Sequence, residues 1–284
     1  MVAVWVGMPG ADGWLVGCRL PSCGCGLDDL AVGLALGNAD RAGLRLEPGW
    51  AKRWTLRVAT DAGEVTYPVA QAPGWPASAV PVRRFSWARR QRHRPGLQFM
   101  VCTGRHHGFE SLAEQRLLLV LDFLGVADVV AQPVELRMVT SAGWVRHVPD
   151  FLVTGRDGVW LVDVRPAARV RAEDRLRFAG AAEVALELGW RYLVVTGWQP
   201  NAVTTVDAVS AQRRPIGDPL GLRAELLAAV AEGGSVRFAD LVGATTLPVV
   251  ARAQALHLIW HHRLVIDLAV VLGEGSLVWA REAS

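Results

Sequence analysis

The rhythm of hydrophobic and polar positions changes twice along this chain of 284 residues. Residues 1 to about 80 alternate in short runs broken by Gly and Pro, the pattern of strands. Trp54 to Ala59, a turn at Asp61-Ala62-Gly63 and then Glu64 to Val69 predict a hairpin. Gln71 to Pro81, with three prolines and a glycine, predicts a linker. The middle third is more regular. Ser111 to Phe123 reads as a helix, with Ser111 as N-cap and Leu117, Leu118 and Leu121 on one face. Strands follow at Val129 to Val139 and His147 to Thr154, joined by a turn at Ser141-Ala142-Gly143, and then at Val159 to Val164. Val170 to Leu188 is an amphipathic helix closed by Gly189, and Arg191 to Thr196 is a short apolar strand. A three-strand meander followed by a crossover helix predicts a mixed sheet with helices on both faces. From about residue 217 the pattern predicts helices at Leu220 to Ala231, Phe238 to Val242 and Pro248 to His262. A hairpin of Val265 to Val271 and Ser276 to Trp279 follows, which suggests a winged helix. The expectation is an α/β protein in three parts: a β-rich region with its linker over 1–82, a core over 83–213, and a winged-helix-like domain over 214–284.

Composition adds limits. No apolar run reaches the roughly 18 residues of a membrane span, since Asp267 interrupts the longest, Leu264 to Leu272. The opening residues lack the basic flank and long apolar core of a secretory signal, so a cytoplasmic protein without a membrane partner is expected. Net charge is only +3, and Lys52 is the sole lysine. Arg83, Arg84, Arg89, Arg90, Arg92 and Arg94 crowd one stretch with Trp87 and His93. Arginine forks grip phosphates and an interleaved aromatic lies against sugar or base, so this cluster is a candidate DNA contact; a solvated charged loop is the plainer alternative. Cys18, Cys23, Cys25 and Cys102 are expected to be reduced, and the spacing of the first three is not that of a zinc knuckle. His257 and His261, one helical turn apart and lacking a third ligand, read as histidines on a helix surface.

The chemistry concentrates in the predicted hairpin of the second and third core strands. If Arg156 and Asp157 form its loop, paired positions sum to 313 and Asp150 faces Asp163; if the loop is Asp157-Gly158, Asp150 faces Arg165. Both registers put Asp150, Asp163 and Arg165 on one face. Two carboxylates about 5 Å apart repel by about 3 kcal/mol at an effective dielectric near 20. A positive group is therefore expected between them, either Arg165 or a divalent cation bound through hard carboxylate oxygens. Glu114 lies on the apolar face of the preceding helix and can lean toward the sheet, although Ser111-Leu112-Ala113-Glu114 is also a capping-box pattern. Glu110 is a reserve carboxylate.

An acid on a helix, then Pro-Asp, then an acid two residues before a basic residue resembles the signature of the PD-(D/E)xK nucleases. The longer run is similar to the amino-terminal domain of TnsA-like transposase endonuclease subunits. It comprises Gly108-Phe109-Glu110-Ser111-Leu112-Ala113-Glu114, Ala131-Gln132-Pro133, His147-Val148-Pro149-Asp150-Phe151 and Val162-Asp163-Val164-Arg165-Pro166. The resemblance covers roughly residues 83 to 200 and, more loosely, the last 70. It implies a restriction-endonuclease-like core in which Glu114, Asp150 and Asp163 hold Mg2+ or Mn2+ and, with Arg165, cleave DNA at transposon ends. It also implies an integrase-like partner subunit, and a carboxy-terminal domain that contacts DNA or an ATPase regulator.

Arg165 stands where the family carries lysine. Neutralising an arginine of pKa near 13 at pH 7 would cost about 8 kcal/mol, so Arg165 is excluded as a general base and retained as a stabiliser of phosphate charge. Two other readings follow from the same residues: a catalytically silent DNA-binding and assembly subunit, and a nuclease of restriction or phage defence.

Overall fold

The computed structural model describes residues 19–73, 79–83 and 95–281. The fold is mixed α/β and divides into two compact units. One is Val32–Gly197; the other joins the described residues up to Ala31 with those from Trp198 onward. Among the described residues, no helix is long and apolar enough to cross a membrane.

The larger unit begins with β1 (Ala31–Gly33), β2 (Thr55–Thr60), β3 (Gly63–Pro68), β4 (Ala79–Val80), β5 (Gly96–Met100) and β6 (Arg105–Phe109). It continues with helix α1 (Leu112–Leu124), β7 (Asp128–Ala131), β8 (Val134–Thr140), β9 (Gly143–His147), β10 (Phe151–Gly155), β11 (Gly158–Val164), helix α2 (Ala172–Glu187) and β12 (Arg191–Trp198). One mixed sheet has the order β1-β12-β11-β10-β7, with β11 and β12 parallel across the α2 crossover. A second has the order β3-β2-β8-β9, with β4 beside β2, and β5–β6 is a separate hairpin. The β2–β3 hairpin and both long helices lie where the hydrophobic pattern puts them.

Two predicted strands do not run through. The apolar stretch Val129 to Val139 is cut at Gln132-Pro133, and His147 to Thr154 is cut over Val148-Pro149-Asp150. Proline has no N–H for a ladder, and Gln132 takes the left-handed backbone at φ +48°, so the chain turns at both points. Each half-strand joins a different sheet: β7 and β10 one, β8 and β9 the other. The meander is therefore two hairpins, and the two breaks are bonded to each other, since the Gln132 amide donates to the Asp150 carbonyl at 2.7 Å.

The smaller unit contains α3 (Pro200–Ser210), α4 (Leu222–Gly233), β13 (Ser235–Arg237), α5 (Phe238–Gly243), α6 (Pro248–Trp260), β14 (Leu264–Ile266) and β15 (Leu277–Ala280). Its sheet has the order β13-β15-β14, so the predicted hairpin gains a third strand from Ser235–Arg237. Residues 20–22 run beside β14: the Ser22 amide donates to the Ile266 carbonyl at 2.8 Å, and the Ile266 amide donates to Ser22 Oγ at 3.1 Å. The boundaries expected at 82 and 213 do not coincide with the observed division. Backbone pairing of β2 with β8 draws the early hairpin into the core, and α3 sits with the carboxy-terminal helices. Pairings over such sequence distances leave no local trace.

Within the larger unit, α2 is packed between the sheets, its Ala179, Ala181 and Ala185 in one cluster with Leu136 and Met138 of β8 and Leu152 and Leu161 of the β10–β11 hairpin. The close approach is set by Gly180, where an added Cβ would lie 2.4 Å from Met138 Sδ. Gly180→Val should therefore cost about 1–3 kcal/mol by overpacking, read from urea denaturation. With Met138→Ala in the same chain, the double variant should be less destabilised than the sum of the singles. Strict additivity would mean that the two residues do not contend for one space.

Candidate active site

The β10–β11 hairpin closes through a two-residue loop, Arg156-Asp157, with Phe151 opposite Val162 and Gly155 opposite Gly158. This is the register in which paired positions sum to 313. It buries Phe151, Leu152, Leu161 and Val162, and leaves Asp150 one residue ahead of β10 where Pro149 has already ended the ladder. The Asp150 side chain takes the place of a strand bond: its Oδ2 accepts the Val164 amide of β11 at 2.7 Å. Asp150, Asp163, Arg165 and Glu114 all line one cleft of about 520 Å³, which the helix α1 start and the end of β9 also border.

Asp163 is 2% exposed, and its Oδ2 is held twice. The Tyr192 hydroxyl of β12 donates at 2.6 Å, and His147 Nε2 of β9 lies at 3.0 Å, with its ring edge-on to Phe178. Burial, reinforced by the Asp163 charge, pushes the Tyr192 phenol well above its usual range, so it stays a donor. Asp150 is partly exposed toward the cleft. Burial first, then the charges of Asp163 and Glu114, raise its carboxyl well above the ordinary value against the Val164 hydrogen bond. Glu114 is raised as well, by burial.

Glu114 is turned onto its own helix end. Its Oε2 accepts the Glu110 amide at 2.7 Å, its Oε1 accepts the Ser111 hydroxyl at 2.8 Å, and Ser111 Oγ accepts the Glu114 amide at 3.2 Å. Ser111 thus caps the helix, while the Glu114 carboxylate reaches back to the Glu110 amide instead of the Ser111 amide of a regular capping box. The fit to a divalent cation is one of donor type and charge. Asp150 and Asp163 offer hard oxygens, their Oδ1 atoms accept no hydrogen bond among the described residues, and their mutual repulsion is the kind a cation relieves. A complete ligand set is not assembled. Among the described residues, no three His, Cys, Asp or Glu side chains are grouped to hold a metal, so the expected three-carboxylate cluster is not present while Glu114 serves as a cap.

The arginines are also engaged. Arg165 Nε and Nη2 both donate to Asp174 Oδ2, at 3.2 and 3.0 Å, at the start of α2 rather than between Asp150 and Asp163. Arg83 binds Gln132 Oε1 at 2.9 Å and Glu110 Oε2 at 2.6 Å on the cleft's border. The rest of the predicted DNA-contact cluster, Arg84, Arg89, Arg90, Arg92 and Arg94, lies outside the described residues. His257 is buried with its Nδ1 2.8 Å from the Gln212 carbonyl, and His261 Nε2 lies 3.2 Å from the Arg213 carbonyl. Of these two expected surface histidines, only His261 is exposed. Burial pushes the Cys25 thiol up to about 12, and that of Cys102 likewise.

Sequence reasoning missed His147, Tyr192 and Asp174. His147 stood inside the motif, and Tyr192 is one of two hydroxyl-bearing residues, with Thr196, on the parallel strand beside Asp163. Parity was the available signal: Tyr192 pairs with Leu161, which shares a face with Asp163.

A carboxyl raised in the fold takes up a proton that the unfolded chain releases, so stability falls as pH climbs from about 4, the ordinary range, through the raised value. Metal-free Asp150→Asn keeps an acceptor for the Val164 amide, and it should melt higher than wild type at pH 7 with a flatter pH dependence. Equal melting curves from pH 4 to 8 would contradict the raised carboxyl. Tyr192→Phe removes a hydrogen bond to a buried carboxylate and should lower the unfolding free energy by about 1.5–3 kcal/mol in urea titration. Compared with known proteins, the chain matches no protein-family model and no curated protein.

Proposed function

We propose that this chain is a divalent-metal-dependent DNA endonuclease with a restriction-endonuclease-like core, acting as the TnsA-like strand-cleaving subunit of a heteromeric transposase in the cytoplasm. One observation carries the reading. Asp150 and Asp163 are crowded at the end of one hairpin, each with one oxygen tied down and one not hydrogen-bonded, on a cleft they share with Glu114 and Arg165. Such a cost in charge repulsion is uncommon without a bound cation or a catalytic use.

Asp150 and Asp163 would hold Mg2+ or Mn2+, with Glu114 joining when its side chain leaves the cap. The ion supplies polarisation of the phosphate and a lowered pKa for a bound water. Tyr192 and His147 keep the Asp163 carboxylate from rotating. Arg165 has Nη1 without a hydrogen-bond partner among the described residues, and from there it stabilises negative charge developing on the scissile phosphate. In the smaller unit the succession α4, β13, α5, α6, β14, β15 supports a winged helix, which would contact DNA or an ATPase regulator. An integrase-like subunit would cut and join the second strand at the transposon ends.

A specific observation favours a second reading. With Arg165 drawn to Asp174 and Glu114 on its cap, the same fold suits a silent DNA-binding and assembly subunit.

Nicking of supercoiled plasmid, with Mg2+, Mn2+ or chelator and the partner subunit present, separates them. Saturating Mn2+ at a hundredfold excess over its dissociation constant should stabilise wild type by about 2.7 kcal/mol in thermal melts, and Asp150→Ala should abolish that gain. Arg165→Ala should lose about 10²- to 10³-fold in nicking while still binding DNA and Mn2+. An inert wild type that Arg165→Lys makes active would establish the silent subunit instead.

A further inference from the structure

The β8–β9 hairpin carries a second feature on the face turned away from α2. Along β8, Leu136 and Met138 are buried while Arg137 is exposed; on β9, Trp144 and Arg146 are exposed. The register sets Arg137 directly opposite Arg146, and Val139 opposite Trp144. Like charges on facing positions repel. Farther in on the same face the charges are balanced, since Arg57 is held by Glu64 at 2.5 Å and by Glu135 at 3.1 Å. Arg137 and Arg146 have no carboxylate partner among the described residues; Arg137 instead lies 5.6 Å from the centre of the Trp144 ring. Trp144 is 58% exposed on the edge strand of its sheet.

From this arrangement we propose that Arg137, Trp144 and Arg146 form a contact surface for the sugar-phosphate backbone of duplex DNA. The inference rests on the nuclease reading for its choice of polyanion. Two guanidinium groups side by side are relieved by two closely spaced anions, and successive phosphates of one strand provide them. The flat indole beside them lies against a deoxyribose. Duplex DNA is preferred to an acidic protein because its phosphates recur at a fixed spacing that suits paired guanidinium groups, and because the surface lies on the edge strand whose last residue, His147, binds Asp163 from the other face of the sheet.

The test is binding of the full chain to a linear duplex of arbitrary sequence by fluorescence anisotropy, in EDTA so that no cleavage enters, from 50 to 300 mM salt. Each phosphate contact contributes about 0.9 to the slope of log affinity against log salt. Arg137→Ala with Arg146→Ala should therefore flatten the slope by about 1.8, and Arg137→Lys with Arg146→Lys should restore it. Trp144→Ala should weaken binding about tenfold with the slope unchanged. All three side chains are exposed, so melting curves should stay those of wild type. A double alanine variant with the wild-type slope overturns the surface and leaves the nuclease reading intact. A wild type whose slope responds as expected but which never nicks plasmid, with any metal or partner, supports the surface and overturns the nuclease. Absence of binding by wild type at 50 mM salt overturns both.

Discussion

The hydrogen bond from the Val164 amide to the Asp150 carboxylate is the interaction on which the site depends. It occurs because Pro149 cannot donate to a ladder and Asp150 therefore sits off the strand, with a side chain free to take the vacant amide across the hairpin. That one bond orients a carboxylate beside a second, deeply buried one, and it partly offsets the desolvation of the first. Tyr192 and His147 do the same for Asp163 from two other strands. Two carboxyls that repel are thus anchored by hydrogen bonds, and the attraction needed to balance them is left to whatever enters the cleft.

Of the arginines around the cleft, which include Arg169 and Arg177, two are committed elsewhere. Arg83 is spent on Glu110 and Gln132, and Arg165 on Asp174. Each of these pairs holds a border of the cleft in place while its centre stays acidic. A centre with net negative potential attracts divalent ions and repels a phosphate backbone. On the nuclease reading a basic surface elsewhere on the same unit would then be needed to hold DNA, and the unbalanced arginine pair of the β8–β9 hairpin has that charge.

Much of this was legible in the sequence where local rules govern. The Ser111 cap, the Gly189 helix end and the β2–β3 hairpin follow from capping, backbone freedom and alternation over a few residues. The 313 register was one of two readings of the Arg156-Asp157-Gly158 turn, and both put Asp150, Asp163 and Arg165 on one face; all three line one cleft, with Arg165 turned to Asp174. What failed was long-range. Nothing local in Thr55–Thr60 names Val134–Thr140 as its neighbour, and nothing in residues 20–22 points to β14. The breaks at Pro133 and Pro149 were visible as prolines but were absorbed into apolar runs, because hydrophobicity continues on both sides of a strand that changes sheets. Glu114 had two readings in sequence, cap and ligand, and its observed bonds are those of the cap.

The two strand breaks also govern how the site can move. At Gln132-Pro133 and again at Val148-Pro149-Asp150 the chain passes from one sheet to the other, and the two passages are bonded through the Gln132 amide and the Asp150 carbonyl. The sheets are thereby stitched along a seam that runs under the aspartates. A hinge opening between the sheets would have to tear it, so the floor of the cleft behaves as a fixed plate. The adjustable element is the start of α1, where one glutamate has three side-chain torsions to swing and only local bonds to release. Ligand entry in such a design is a matter of one side chain turning over an immobile base, a motion on the timescale of rotamer exchange rather than of domain closure.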